Sequence, residues 1–308
     1  MTKPITVIGD PANAWLTACA VARFLAEPDT ITVVETAPAA SLQWVLRPDM
    51  EKLHRSLGLD IRQISGIEPV GVYEVLGREI PLSPFGAPLQ GVAFQHLWVR
   101  AAEAGETRNL WAFNAKNSSA GLCRVGTESY VSALARIARG AGVKDGVEVN
   151  PEHLIINAGG GAETDAATGD EITLSQNDLG APPKASLAAH RLHLGLKALI
   201  KCGLGDTSVD PRRLALTRRL SSYDDHFDTF VALLGPHPDT SSHRAQSWRD
   251  LGRVIPVDDD PFTAAEWIAA LLHAGVAPQN YHSLALRFTR DELLGHMDAC
   301  AARSPLNV

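Results

Sequence analysis

The apolar pattern opens on a strand. Residues 5–8, Ile-Thr-Val-Ile, form a β-branched run into Gly9, a small-residue helix follows over 16–25, and a second run, Ile-Thr-Val-Val at 31–34, ends in Glu35. This strand–turn–helix–strand–acid order predicts a Rossmann-type βαβ unit. Residues 38–48 read as a loop, and 49–57 as a short amphipathic helix stopped by Gly58. Alternation over 67–80, around Gly71 and Gly77, predicts a hairpin in the sheet. Residues 81–91 are rich in Pro and Gly and predict a surface loop. The stretches 94–104 and 127–140 are helical by period, the second with Leu134 and Ile137 on one face. Strands are predicted at 143–149 and 154–157, before Gly159-Gly160-Gly161. The small, polar residues 162–184 predict a loop with one short strand at 172–174.

From residue 185 the texture changes. Residues 187–202, 212–234, 264–274 and 290–302 are all helical by period, separated by Gly, Pro and Asp turns. An α/β part over 1–190 followed by a helical part over 191–308 is the predicted organisation, with a soft boundary near 185–205. No internal repeat or heptad pattern is visible.

Composition narrows the function classes. The chain has 308 residues, 45% of them apolar and 20% charged, which is a globular balance. A net charge of −7 gives no electrostatic support to nucleic-acid or anionic-membrane binding. Apolar stretches break well short of a membrane span. The chain enters a strand directly after Lys3, without a signal-peptide pattern, and Cys19, Cys123, Cys202 and Cys300 are scattered without a C-x-x-C. The expectation is a cytoplasmic protein with reduced thiols.

The turn after the first strand is a dinucleotide loop with its chemistry altered. On the G-x-G-x-x-G frame, Gly9 holds the first place, Pro11 the second and Ala14 the third. Alanine is tolerated at the third place, but proline has no N–H and cannot take positive φ. Asp10 adds a negative charge where a pyrophosphate would meet the helix N-terminus. At about 4 Å that repulsion amounts to about 1 kcal/mol in water and about 4 kcal/mol at an effective dielectric of 20. The loop therefore predicts weak or absent dinucleotide binding. Two alternatives stay open for the remaining polar groups. Glu35 either bonds a ribose hydroxyl or is a solvated strand end, and Arg47 and Arg55 either meet phosphates or lie on exposed faces.

Other constellations give less. His190 and His193 lie three apart on a helix, and Asp224, Asp225 and His226 lie on another, a set that includes the donor types of a divalent-metal site. Without an E-x-x-H or H-E-x-x-H motif, polar-face histidines and no metal are expected. Asp258-Asp259-Asp260 before Pro261 predicts a polar turn capping the next helix. Cys19 and Cys123 have no candidate base, and Phe94, Trp98 and Trp111 read as core.

The order of these elements resembles the flavin-dependent tryptophan halogenases, a branch of the FAD monooxygenase fold, almost end to end. Trp15 follows the glycine loop as in the family's G-G-G-T-A-G-W, and Leu53-His-Arg-Ser-Leu-Gly-Leu-Asp60 is similar to the helix end after its G-V-G-E-A-T. Pro84-Phe-Gly and Phe94-Gln-His-Leu-Trp-Val-Arg100 resemble H-P-F-G and F-H-x-Y-W-L-R. Glu152-His-Leu-Ile-Ile-Asn-Ala-Gly159 stands where the family has D-L-F-I-D-C-S-G. Residues 261–272, 275–281 and 291–294 are similar to its last helices. The resemblance implies a Rossmann-like FAD/NAD(P)-binding fold of the flavin monooxygenase type with a C-terminal helical region. It also sets Gly9, Ala14, Trp15, Glu35, Arg47 and Gly159 as the residues that would face FAD.

The departures from the family pattern are grouped. Relatives are longer, and the missing length falls at 159–185, where they carry W-x-W-x-I-P; none of the six tryptophans here has W-x-W spacing. No lysine stands between Lys52 and Lys116, so the halogenating lysine has no counterpart, and Tyr73 falls near its place. The G-V-G-E-A-T and P-L-E-S-T-S segments become residues 41–46 and 182–186. An amine serves as nucleophile and hydrogen-bond donor to a hypohalous oxidant, and tyrosine duplicates neither role well. The resemblance therefore implies a shortened relative that has lost halogenation and acts as an accessory or partner subunit, in a homodimer or with a full-length halogenase paralogue. Uncovered apolar surface at 159–185 would form the interface. The alternatives are an FAD-dependent oxidoreductase with altered sites and a small-molecule binding protein. Catalytic residues are left unassigned.

Overall fold

The computed structural model describes residues 3–36, 44–70, 72–82, 85–113, 122–159, 170–174, 187–205, 209–255 and 257–303. The chain forms two compact units, each from two separate stretches: Met1–Pro69 with Leu122–Asp225, and Val70–Gly121 with His226–Val308. A linear cut at 190 would pass through the first turn of a helix, α5 (Ala188–Cys202).

The first unit is built on a five-stranded parallel sheet. Its strands are β1 (Ile5–Gly9), β2 (Ile31–Glu35), β8 (Lys144–Asp145), β9 (Leu154–Asn157) and β10 (Asp170–Thr173), in the order β10-β9-β1-β2-β8. Ile5 stands opposite Ile31 on one side and Leu154 on the other. Both β1 and β9 are buried along their whole length, as expected for parallel strands covered on both faces, and this is why they read as continuous apolar runs. Helix α1 (Pro11–Phe24) crosses from β1 to β2 and packs against α4 (Thr127–Ala141) and α5. It starts at Pro11, earlier than the apolar period suggests. Proline suits the first helical position because its absent N–H would have no intrahelical partner there.

A second, three-stranded sheet has the order β3-β7-β4, from β3 (Trp44–Leu46), β4 (Glu68–Val70) and β7 (Leu122–Val125). It corrects the loop expected at 38–48: β3 pairs antiparallel with β7, Trp44 opposite Val125. Helix α2 (Met50–Ser56) follows and ends before Gly58, as predicted, and Gly58 takes positive φ. The strand expected at 143–149 shrinks to the two residues of β8, and the one expected at 172–174 is β10. Residues 160–169 and 175–186 lie outside the described residues. Helix α6 (Pro211–Leu234) carries the chain from the first unit into the second.

The second unit holds a separate hairpin of β5 (Val72–Val75) and β6 (Arg78–Pro81). Its two turn residues, Leu76 and Gly77, both take positive φ, at 52° and 73°, as a type I′ turn requires. Helix α8 (Ala264–His273) packs on β6, and α3 (Phe94–Glu103) packs on α9 (Arg290–Ala302). Phe230 stacks on Phe262 at 4.0 Å and meets Trp267 edge-on at 5.3 Å. Helix α7 (His243–Leu251) has too few apolar positions to show a period. Its boundary signals are nevertheless in place: Ser242 accepts from the Ala245 N–H, and Gly252 ends it at φ 62°. Thr263 and Glu266 form the capping box of α8, so the expected cap at Asp258–Asp260 is corrected. Asp260 instead accepts from the Phe262 N–H, the Trp267 indole and Arg244. Among the described residues no helix is long and apolar enough to cross a membrane.

Candidate functional site

In an open parallel sheet, ligands bind beyond the carboxyl ends of the strands. Here that edge is formed by Gly9, Glu35 and the residues after Asn157. The backbone closes tightly there. The Asp10 N–H donates to the Gly159 carbonyl at 3.1 Å, and a Cβ at position 9 would meet that same oxygen at 2.8 Å, so only glycine fits. Gly159 takes φ 90° and donates its own N–H to Asn157 Oδ1 at 2.9 Å.

Asp10 is the N-cap of α1. Its Oδ1 accepts the Ala12 N–H at 3.0 Å and the Asn13 N–H at 3.1 Å, and Oδ2 accepts Asn13 Nδ2 at 2.5 Å. These are the first-turn donors on which a phosphate would sit. Burial pushes the Asp10 carboxyl up to about 6, against the pull of the Asn13 and Ala12 N–H groups. Ala14 lies wholly buried inside α1, its N–H spent on the Asp10 carbonyl. Trp15, also fully buried, donates its indole N–H to Glu35 Oε1, and the Arg139 guanidinium lies 4.7 Å from the Trp15 ring centroid. Glu35 is the exposed last residue of β2, as in the strand-end alternative, and one of its carboxylate oxygens accepts from Trp15. The loop does not fit a pyrophosphate, because the carboxylate of this chain already takes the donors that the phosphate needs.

A second cluster lies where the chain between β3 and α2 meets α5 in the same unit. Arg47 is buried, which corrects the exposed face considered for it, and its Nε lies 3.8 Å from Asp49 Oδ1. Arg55 is exposed and pairs with Glu51 at 2.9 Å. His54 is wholly buried between the Met50 carbonyl, 2.8 Å from Nδ1, and the Tyr130 hydroxyl, 2.6 Å from Nε2. A carbonyl can only accept, so Nδ1 carries the proton and Nε2 accepts from Tyr130. Burial lowers the His54 pKa and raises that of Tyr130.

His190 and His193 are 2% and 1% exposed, so they are interior residues rather than the polar-face pair expected from the sequence. The carboxylate beside them is Asp49, not one from α6. Asp224 is taken by Arg191, whose Nε donates to it at 2.6 Å. Ligand atoms of Asp49, His190 and His193 all lie within 4.8 Å of one another. Burial pushes His193 down to about 4, which Asp49 opposes and Lys197, His54 and Arg47 reinforce. No local sequence signal links Asp49 to residues 190 and 193.

The remaining candidates are structural. Tyr73 is buried on β5 and donates its hydroxyl to Glu266 Oε1 at 2.5 Å. Cys19 donates to the Leu134 carbonyl at 3.3 Å, and burial pushes its thiol up to about 12, far from a thiolate nucleophile. The Cys123 side chain lies outside the described residues. Phe94 is core, while Trp98 and Trp111 are half-buried. A cavity of 610 Å³ lined by Lys3, Phe24, Leu154, Asp170 and Arg212 opens at the strand starts, the edge opposite the dinucleotide position.

No protein-family model matches the chain, and no curated protein sequence does. Solved structures do match. A flavin-dependent halogenase from Xanthomonas campestris is similar over 98% of this chain and 95% of its own, with TM-score 0.72 and 14% identity. A tryptophan 6-halogenase from Streptomyces toxytricini gives TM-score 0.71 at 11% identity, over 98% of this chain and 96% of that one. A flavin-dependent halogenase from Brevundimonas sp. BAL3 gives 0.67 at 13%, over 98% and 95%. At such low identity the sequence motifs alone are a faint trace, and agreement over nearly the whole of both chains carries the assignment: the protein has the fold of the flavin-dependent halogenases.

Proposed function

We propose that this chain is a halogenase-fold protein that does not halogenate and serves as an accessory or partner subunit. The observation that supports this is the Asp10 carboxylate seated on the Ala12 and Asn13 N–H groups. FAD that reaches the site has to displace a buried carboxylate from its hydrogen bonds and face Asp10 at close range. Tyr73, near the place of the halogenating lysine in the resemblance, is bound to Glu266 and offers no amine. The described cysteines Cys19, Cys202 and Cys300 are free thiols, which suits a protein of the reducing cytoplasm.

The partner is a second copy or a full-length halogenase paralogue. Two assays test the proposal. With reduced flavin, oxygen and chloride or bromide, tryptophan and indole are expected to stay unmodified; product would overturn the loss of halogenation. Light scattering and pull-down with a paralogue are expected to give a dimer or a heterocomplex; a monomer that recovers no partner would remove the accessory role.

A further inference from the structure

We propose that Asp49, His190 and His193 form a binding site for a divalent transition-metal ion of the zinc type. Two imidazoles and one carboxylate suit Zn²⁺ and Co²⁺ and not the oxygen-seeking Mg²⁺ and Ca²⁺. The residues come from two elements: Asp49 precedes α2, while His190 and His193 share one face of α5.

Three features point to a ligand. Asp49 is the N-cap residue of α2, yet its side chain makes no capping bond. Its two oxygens are divided, Oδ1 towards Arg47 at 3.8 Å and Oδ2 towards His193 Nδ1 at 3.5 Å. His193 is 1% exposed, and among the described residues its Nδ1 has no hydrogen-bond partner, although it faces Oδ2. A buried imidazole nitrogen without a partner carries a desolvation cost that a ligand relieves.

The spacing of one ligand pair suits a metal, and a ligand atom of His190 lies within 4.8 Å of those of Asp49 and His193. With metal–ligand distances near 2.1 Å and tetrahedral angles, two ligand atoms stand about 3.4 Å apart. The 3.5 Å between Nδ1 and Oδ2 lies close to that separation. Arg47 and Lys197 are the nearby positive charges and weaken the site. Asp49, half of whose side chain is exposed at 46%, opens the ion to solvent, so a fourth position is left for water or a small ligand.

The test uses the full chain after chelator treatment, titrated with Co²⁺ and followed by its visible absorption, then displaced by Zn²⁺. One Co²⁺ per chain is expected, with affinity reduced about tenfold or more by Asp49→Ala and by His193→Asn. Asp49 is exposed, so Asp49→Ala retains the fold, as urea unfolding would check, and decides the matter if His193→Asn fails to fold. Absence of saturable binding, or binding unchanged by Asp49→Ala, would overturn the site. Neither result depends on whether FAD binds or halogenation occurs.

Discussion

The indole N–H of Trp15 donates to the carboxylate of Glu35, joining the first helix of the βαβ unit to the end of its second strand. The acid at this strand end is the group expected on a ribose hydroxyl in a dinucleotide fold. In this chain it is engaged from within, as are the helix N–H groups that Asp10 caps. Two of the contacts that a dinucleotide requires are thus supplied by the protein to itself.

Restoring the loop should restore the ligand. The double substitution Asp10→Gly with Pro11→Gly frees the first-turn N–H groups and removes a repulsion of about 1–4 kcal/mol. FAD affinity should rise about tenfold or more, measured by flavin fluorescence in titration. Equal affinity in the natural and double-substituted chains would show that Asp10 does not govern the site.

Asp10 also predicts a pH dependence. Its folded pKa, about 6, lies above the unfolded value of 3.8, so its stabilising contribution is fully present below 3.8 and lost as pH rises through about 6. The loss is at most about 3 kcal/mol. Asp10→Asn keeps an acceptor for the Ala12 and Asn13 N–H groups without the charge. Urea unfolding at pH 4 and pH 7.5 should show the substituted chain gaining on the natural one at the higher pH.

His54 acts in the opposite sense. Its pKa is depressed in the fold by burial, so its contribution is present above the unfolded value of 6.5 and lost as pH falls below it. Protonating Nε2 also ends its acceptance from the Tyr130 hydroxyl. The natural chain should lose stability on acidification from pH 7.5 to 5, and His54→Gln should show a flatter slope in thermal unfolding. Parallel slopes would assign the acid sensitivity to other groups.

Tyr73→Phe removes the hydroxyl that reaches the buried Glu266 carboxylate. Hydrogen bonds to charged groups contribute about 1.5–3 kcal/mol, and a loss of that size is expected in urea unfolding. If Tyr73 instead served chemistry at an open site, the substitution would leave stability unchanged.

The sequence alone determined the βαβ unit, most of the helices and the altered phosphate loop. Each of these is written in local terms. Buried parallel strands need unbroken β-branched runs, amphipathic helices need their period, and a proline two places after a glycine restricts the backbone whatever surrounds it. Helix α7 escaped because its caps carry more signal than its faces, and β3 because three residues are too few to show alternation. What only the tertiary structure decided are relations across distance in the chain. Residues 70–121 join the unit of 226–308 because compactness depends on packing and not on order along the chain. Trp15 meets Glu35 because α1 returns antiparallel over the strand that carries the acid. Asp49 meets His190 and His193 across more than a hundred residues, because α5 lies against the strand that leads into α2. A side chain's chemistry is fixed by its type, but its partner and its burial are set by which helices and strands pack together, and no local pattern records that.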